Sequence, residues 1–394
     1  MMALKDFKVL SKDTLIYGIG NAADRMIQIV LLPLFAAYLS IDKYGIRSLT
    51  IPAYEFLKII ILLCIDQAVI ADYFKVKTEA EQRNVISTGF TFSVVTSIAV
   101  GVLGYFFAGP FVKAIKFVAP ESVLILKFFS IFTAFSCPSF VFLSFLRCER
   151  KPWAYMFFTI IKAIVKVGLI VFFLAFLKKD LLGIYVVDAI LAVLTFFPVS
   201  VWIYVYSKGI KFSFRSLKSM FLYSLPLVPN MAFYWMRTML DRWIILPMLG
   251  KGAVGVFGFA ITISSVVSFL LLATVNLAWT PYAFSIKDKP DLHRITSRLL
   301  TYVLFLVGWA LIVLGGGANE LLHVITKKPE YWSAAPLVPI LLVAMGFMGV
   351  FNIVGTPCQI ARKTIYFTIT SIVGAIIVVA MNIFLIPLMG LYAS

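Results

Sequence analysis

The stretch SLPLVPNMAFYWMRTMLDRWIILPMLG, residues 224–250, is long enough to cross a lipid bilayer and yet carries Arg237, Asp241 and Arg242. An ionisable side chain inside a membrane span costs roughly 2.5–3.5 kcal/mol on insertion scales, so it normally faces a partner or a watery cavity rather than lipid. The stretch therefore predicts a charged cavity enclosed by membrane helices.

The composition excludes a soluble globular protein. Of 394 residues, 62% are hydrophobic and only 13% are charged, and the mean hydropathy is +1.00. No compact soluble fold could bury that much apolar surface. Apolar runs of about 20 residues, the length that crosses a hydrocarbon core, follow one another closely, without the period-two alternation of barrel strands. The sequence predicts an all-α polytopic membrane protein.

Eleven membrane spans are predicted, joined by loops too short to hold an extramembrane domain. Their ranges are 14–39, 46–74, 85–109, 122–146, 153–177, 182–206, 219–249, 253–281, 299–323, 333–356 and 364–390. The basic N-terminus runs directly into the first span without a cleavage motif, so we expect a retained first helix.

The positive charges indicate orientation in the membrane. The net charge is +17, but the Lys and Arg residues lie mainly in the loops, as expected for a membrane topology signal and not for a nucleic-acid partner. More of them lie on the side of the N-terminus than on the opposite side, which predicts a cytoplasmic N-terminus. The opposite side carries Lys43, Arg47, Lys113, Lys116, Lys178, Lys179, Lys251, Lys327 and Lys328.

An internal repeat appears when the chain is shifted by about 210 residues. YLSIDKYGIRSL at 38–49 then aligns with MLGKGAVGVFGF at 248–259, and Gly45 aligns with Gly255. Because six spans separate the equivalent helices, the two halves enter the membrane the same way up, with the site expected at the interface between them.

The repeat predicts two pseudo-symmetric six-helix bundles. The first bundle would comprise residues 1–206 and the second residues 219–394, and a basic cytoplasmic linker, 207–218, would join them. The second bundle needs a twelfth helix that this sequence does not contain. Either the sequence is a fragment or this version of the protein ends early.

Three predicted spans carry polar residues at spacings of four and three, which place side chains on one helix face. These stripes are Tyr17, Asn21, Asp24 and Gln28, with Arg25 beside them; Tyr155, Thr159, Lys162 and Lys166; and Asn230, Tyr234, Arg237 and Asp241. Arg25, Lys162 and Lys166 fall near mid-span, where snorkelling to the headgroups is difficult. Lys162 and Lys166 have no acid in their own span, so we expect an anionic partner.

Several of these charges also allow a purely structural interpretation. Arg237 and Asp241 either pair with each other, being four residues apart, or face the cavity. Asp24 and Arg25 either pair between helices or join the cavity. Arg242 fits an interfacial anchor better than a ligand.

The second predicted span holds a different set of charges. Glu55 and Lys58 are expected to neutralise each other because they are three residues apart. Asp66 has no local partner, so it is a candidate for a cation or proton site. Asp188 in the sixth span is a further acid of uncertain position. Four cysteines without CxxC spacing, and no His nearby, predict no metal site and no redox pair.

The segments IVLLPLFAAYLSIDKYGIRSL at 29–49 and 224–260 resemble the polysaccharide-biosynthesis and O-antigen (Wzx-type) flippases of the multidrug/oligosaccharidyl-lipid/polysaccharide (MOP) exporter superfamily. Asp241 and Arg242 match the DR pair in helix 7 of that family, and Val254 to Phe257 match its V-G-x-[YF] element. The tail NIFLIPLMG at 382–390 is similar to the family's sequence before its twelfth helix. The resemblance covers essentially the whole chain.

The resemblance implies a MATE/MOP-like transporter of the bacterial cytoplasmic (inner) membrane and not an enzyme. It would move an undecaprenyl-diphosphate-linked oligosaccharide to the outer leaflet by alternating access, for O-antigen and lipopolysaccharide synthesis. No cofactor is implied beyond a coupling ion, H⁺ or Na⁺. Polysaccharide polymerase and chain-length machinery are implied as further partners.

Together, residues and resemblance suggest a mechanism as a hypothesis. The diphosphate binds Arg25, Lys162, Lys166 and Arg237, which hold phosphate through charge-assisted hydrogen bonds. The sugars occupy the cavity and the lipid tail stays in the bilayer. Asp24, Asp66 or Asp241 senses the coupling cation.

Two other classes of function fit less well. A MATE-like multidrug/cation antiporter would favour acids in its cavity, whereas mid-span Lys and Arg are in excess here. A membrane glycosyltransferase or polysaccharide polymerase would need large outer loops or a carboxylate-rich catalytic loop, and the sequence has neither.

Overall fold

The computed structural model describes residues 16–20, 26–114, 121–267, 292–360 and 365–393, together with 272, 275, 279, 282, 283 and 286. All regular secondary structure in these ranges is helical. Residues 16–20 and 26–30 are helical and belong to the first predicted span, of which 21–25 lie outside the described residues.

The helices of the first half follow the predicted spans closely. They are α1 Leu32–Tyr38, α2 Ile41–Leu62, α3 Ile65–Lys75, α4 Glu79–Phe106, α5 Ala108–Ala114, α6 Ser122–Ser136, α7 Pro138–Cys148, α8 Pro152–Val171 and α9 Leu181–Ser207. A π-helical turn, Phe172–Phe176, extends α8.

The helices of the second half are interrupted more often. They are α10 Phe214–Ser224, α11 Leu227–Met239, α12 Asp241–Val267, α13 Leu292–Ala310, α14 Ala318–Ile325, α15 Leu337–Ile360 and α16 Ile365–Met389. A π-helical turn, Leu311–Gly315, extends α13, and 3₁₀ turns lie at Pro329–Ala334 and Gly390–Ala393.

The second predicted span is a broken helix. Helices α2 and α3 meet at a bend of 41°. Leu63 and Cys64, at the break, have φ of 46° and 60°. This left-handed conformation is uncommon for residues with a Cβ, and it ends the α2 hydrogen-bond ladder at this point.

The boundary between predicted spans 7 and 8 lies at Gly250. Its φ is 85° and its ψ is −179°, inside α12. Only glycine adopts this conformation readily, so the glycine between two apolar runs allows the kink in α12.

Eight of the described helices are long and apolar enough to cross a membrane, or nine if the bent α2 and α3 form one span. One of the eight, Leu227–Val267, contains the Gly250 kink and covers parts of two predicted spans. The protein is therefore a multi-pass membrane protein, as predicted, while the count of eleven spans stays a prediction.

The chain forms two compact units. The first contains Met1–Ala23 and Ala53–Ala232, and the second contains Asp24–Pro52 and Phe233–Ser394. The linker 207–218 lies within the first unit, whereas the end of the first predicted span and the start of the second lie within the second unit. The chain thus changes unit inside α2, at Pro52, and inside α11, at Ala232.

Each unit has its own apolar core. In the first, α3, α4 and α7 bury residues such as Ile65, Val69, Ile86, Val141 and Phe145. Burial of side chains of this size contributes about 1.5–3 kcal/mol each.

In the second unit, α2 and α12 pack with backbone almost touching. A Cβ on Gly45 would lie 2.1 Å from the Lys251 carbonyl oxygen, and one on Gly255 would lie 2.2 Å from that of Ile41. Small residues permit this approach between membrane helices, where van der Waals packing drives association.

The turn between α1 and α2 is held by the segment that follows α14. Lys328 Nζ and the Tyr331 hydroxyl donate to the Leu39 carbonyl oxygen at 2.7 and 3.1 Å. The Ile41 N–H donates to Glu330 Oε1 at 3.1 Å. Backbone groups that the helix ends leave unsatisfied are thus paired.

Candidate functional site

The predicted polar stripe of the fifth span lies on the buried face of α8. Tyr155, Thr159 and Ala163 are buried, whereas Phe157 and Ile161 on the other face are exposed. Lys162 and Lys166 share the buried face and are themselves half-buried. The first unit therefore holds two lysines one helical turn apart inside a membrane span.

Lys166 has an acid partner from the next helix. Its Nζ lies 2.8 Å from Asp188 Oδ1 of α9, and the two side chains are 24% and 14% exposed. The anionic partner expected for the two lysines is, for Lys166, an acid of the protein itself. The stripe within one helix could not reveal this acid, because Asp188 reaches Lys166 only through the packing of α9 on α8.

Glu55 and Lys58 form an ion pair within α2, at the spacing from which their mutual neutralisation was predicted. Lys58 Nζ also lies 4.7 Å from the centre of the Phe140 ring. Asp66 lies in the first turn of α3, where the helix dipole favours a carboxylate. Lys58 and Arg147 act on it electrostatically. The broken span thus gathers two acids and two bases in the first unit.

Arg237, in the last turn of α11, is flanked by aromatic rings. Its guanidinium carbon lies 5.5 Å from the ring centres of both Tyr234 and Phe351. Cation–π contacts of this kind favour the charged form without neutralising it. A Cβ on Gly374 would lie 2.8 Å from Arg237 Cδ, so the α16 backbone lies directly against this side chain.

Asp241 bonds to an amide and not to Arg237. Asn382 Nδ2, on α16, donates to Asp241 Oδ1 at 3.0 Å and to the Val378 carbonyl oxygen at 2.9 Å. Within the described ranges, Arg237 and Asp241 form no ion pair, and the cavity role of Arg237 stays a prediction. Sequence periodicity could not choose between a partner four residues away and one 141 residues away.

Arg242 is half-buried in the second unit. Its Nε is buried, and among the described residues it finds no hydrogen-bond partner; the same holds for Arg237 Nε and Asn382 Oδ1. The assignment of Arg242 as an interfacial anchor stays a prediction. A cluster of two arginines, one acid and one amide thus presents unsatisfied polar atoms inside the second unit, where each would cost about 1–3 kcal/mol without a partner.

Two predicted site residues, Asp24 and Arg25, lie outside the described residues. Asn382 is a site residue that sequence analysis missed. The feature that could have indicated it is that Asn382 is the single amide in the apolar helix Ile365–Met389. Trp235 was also missed: its Nε1 donates to the Pro52 carbonyl oxygen at 2.8 Å, where α2 passes from one unit to the other.

A polar cluster centres on Glu149, which lies between α7 and α8. Glu149 Oε1 accepts from the Tyr73 hydroxyl at 2.6 Å and from the Tyr206 hydroxyl at 2.7 Å. Burial alone would raise the pKa of Glu149, but these hydrogen bonds and Lys151 outweigh it and lower the pKa. The cluster ties α3, α7 and α9 together at one end of the first unit.

The polysaccharide biosynthesis protein family matches residues 10–287 of this chain. The chain belongs to that family. An uncharacterized membrane protein of Haemophilus influenzae is 27% identical to this family member over 302 residues, covering 72% of this chain and 69% of that protein.

Solved structures with a similar fold include two transporters. The lipid II flippase MurJ, in an inward closed conformation, has a TM-score of 0.77 at 15% identity, covering 96% of this chain and 83% of its own. An inward-facing multidrug resistance MATE family transporter of the MOP superfamily has a TM-score of 0.76 at 13% identity, covering 94% and 89%. These likenesses confirm the predicted all-α fold, which the chain shares with these two transporters.

Proposed function

We propose that this polysaccharide biosynthesis family protein is a flippase that moves an undecaprenyl-diphosphate-linked oligosaccharide across the bacterial cytoplasmic membrane. Family membership, the fold shared with a lipid II flippase and the cations inside the membrane spans support the proposal. Polysaccharide polymerase and chain-length machinery are its proposed partners.

The observation that carries the proposal is the environment of Arg237. Its guanidinium lies inside a membrane span and forms no ion pair with a described acid. Keeping such a charge unneutralised is costly, so a transient anion is the natural partner. A diphosphate supplies several oxygens that a guanidinium binds through two parallel hydrogen bonds.

The lysines of the first unit are proposed as further contacts to the diphosphate. Asp188 offsets the charge of Lys166 and restricts its side chain. Lys162, one turn earlier on the same face, would share the anion with it. Arg25 is proposed as a fourth contact to the diphosphate because of its mid-span position in the sequence.

The coupling ion, H⁺ or Na⁺, is proposed to act at Asp241. Its bond to Asn382 joins α12 to α16, so a cation that competes for the carboxylate would alter the contact between these helices. Asp66 and Asp24 are the alternative positions. Asp66 lies near two bases, Lys58 and Arg147, whose positive charges disfavour the binding of either cation at its carboxylate.

A MATE-like exporter of cationic drugs is the second candidate. One matching structure is a multidrug resistance transporter, and the spans also hold Asp66 and Asp241. Arg237 and Arg242 would repel a cationic substrate, which favours the flippase.

The test is transport in proteoliposomes. A fluorescent undecaprenyl-diphosphate oligosaccharide is placed in one leaflet, and its exposure to a membrane-impermeant quencher is followed with and without a Na⁺ or proton gradient. Wild-type protein should accelerate exposure over protein-free liposomes. Arg237→Gln should remove most of this acceleration, while Arg298→Gln, which changes an exposed arginine of α13, should leave it intact.

Two outcomes would contradict the proposal. One is wild-type protein that exposes the labelled lipid no faster than empty liposomes. The other is faster efflux of a cationic dye than of the labelled lipid, which would favour the exporter.

A further inference from the structure

A groove between α4 and α9 lies on the first unit, and none of the charged side chains described above is part of its lining. Its volume is about 440 Å³, and its lining includes Phe90, Thr91, Phe197, Ser200, Val201 and Tyr204. Pockets of about 300–1,000 Å³ hold drug-sized ligands, so this one has room for a single hydrocarbon chain.

The walls of the groove belong to helices that cross the membrane. Phe197 and Val201 are 60% and 61% exposed, on a span with a hydropathy of 2.2. Lipid is the medium around such a surface, so the occupant is hydrocarbon. The Ser200 hydroxyl, buried in the wall, has no hydrogen-bond partner among the described residues.

The linker 207–218 closes one end of the groove through Gly209 and Ile210. It is fixed in place, because the Lys211 N–H donates to Ser87 Oγ at 2.9 Å and the Ser213 N–H donates to Thr88 Oγ1 at 3.1 Å. Ser87 and Thr88 are both buried in α4. The basic residues of the linker therefore have a defined position at the mouth of the groove.

The linker alternates exposed cations with exposed apolar side chains. Ile210 is 77% and Phe214 79% exposed. The cations Lys208, Lys211, Arg215 and Lys218 are exposed and form no ion pair with any described residue. A basic segment with apolar side chains of this kind binds anionic lipid at the headgroup level.

From these observations we propose that the groove and the linker form a binding site for one anionic phospholipid. An acyl chain lies between α4 and α9, and the phosphate meets Lys208 and Lys211. This site is separate from the proposed transport of a lipid-linked oligosaccharide and does not depend on it.

The experiment uses purified full-length protein in nanodiscs that contain equal amounts of phosphatidylglycerol and phosphatidylcholine. Native mass spectrometry after release from the nanodisc reports which lipid remains bound. One phosphatidylglycerol should be retained in preference to phosphatidylcholine. The double variant Lys208→Gln/Lys211→Gln should reduce this retention on the order of tenfold. The control Lys178→Gln/Lys179→Gln, which changes two exposed lysines that do not belong to the linker, should not.

A second pair of variants tests the chain-binding part. Thr91→Trp fills the groove and should abolish retention, while Val205→Trp, an exposed α9 position outside the lining, should not. Ser200→Leu makes a smaller change and replaces Thr91→Trp if the tryptophan variant fails to elute as a single folded species. Equal retention of the two lipids by the parent protein, or unchanged retention in the groove variants, would overturn the proposal.

Discussion

Gly45 and Gly255 occupy equivalent positions in the internal repeat, and they pack against each other. A Cβ on Gly45 would lie 3.0 Å from the Gly255 backbone nitrogen. Three residues further on, a Cβ on Gly258 would lie 2.0 Å from Ser48 Oγ, at the equivalent repeat position. The two aligned segments of the repeat, 38–49 and 248–259, thus pack against each other in the second unit.

This contact predicts that Gly45→Ala destabilises the protein. A methyl group has no space against the Lys251 carbonyl oxygen, and overpacking of this kind costs about 1–3 kcal/mol. Thermal unfolding of detergent-purified protein should show a lower midpoint. Gly168→Ala is the control, because nothing lies within 4 Å of a Cβ there; equal midpoints for the two variants would refute the prediction.

Removing the amide that holds Asp241 should loosen the second unit. Asn382→Leu leaves the carboxylate without its described hydrogen bond and should cost about 1–3 kcal/mol. Flipping of the labelled lipid should also lose its dependence on the cation gradient if Asp241 is the coupling site. Met381→Leu, at a half-exposed neighbour, controls for changes in α16. A stable Asn382→Leu variant with unchanged gradient dependence would refute both parts.

The ion pair between Lys166 and Asp188 should show the non-additivity of a partly buried pair. Lys166→Gln or Asp188→Asn alone leaves one charge in the span without its partner, at a cost toward the low end of about 3–5 kcal/mol. The double variant removes both charges and should be more stable than either single variant. Thermal unfolding of all four proteins measures the coupling, and additive effects would count against the pair.

The same double variant distinguishes a structural role of Lys166 from a role in transport. If Lys166 helps to hold the diphosphate, stability should recover in Lys166→Gln/Asp188→Asn while the flipping rate stays low. Lys162→Gln should lower the rate further. Recovery of transport together with stability would reduce Lys166 to a structural role.

Glu149 predicts a loss of stability in acid. Its pKa in the folded protein lies below the ordinary value of 4.5, so the stabilisation is present above that value and is lost as the pH falls through the lower folded pKa. Unfolding midpoints of wild-type protein should therefore drop below about pH 4.5 more steeply than those of Glu149→Gln. Parallel curves for the two proteins would contradict this assignment.

The residue pattern within one helix was sufficient to predict features that depend on that helix alone. The polar stripe of α8 faces inward because Tyr155, Thr159, Lys162 and Lys166 recur at the helical period. Glu55 and Lys58 pair because three residues separate them. The turn at Gly250 follows from a glycine between two apolar runs.

The charged site required contacts between helices that the sequence keeps far apart. Lys166 meets Asp188 across two helices, and Asp241 meets Asn382 over 141 residues. Periodicity within a span specifies which face a side chain occupies, but it does not specify which helix lies opposite that face.

The sequence by itself determined an all-α membrane protein and the presence of cations in its apolar helices, because hydropathy and helical period are local properties of the chain. The number of spans and the repeat stay predictions. Only the tertiary structure decided which of those cations are neutralised, because charge pairing depends on packing. Arg237 lies between two rings while its presumed neighbour Asp241 bonds to Asn382. The same packing placed Asp24–Pro52 with the second unit and built the lipid groove beside the linker.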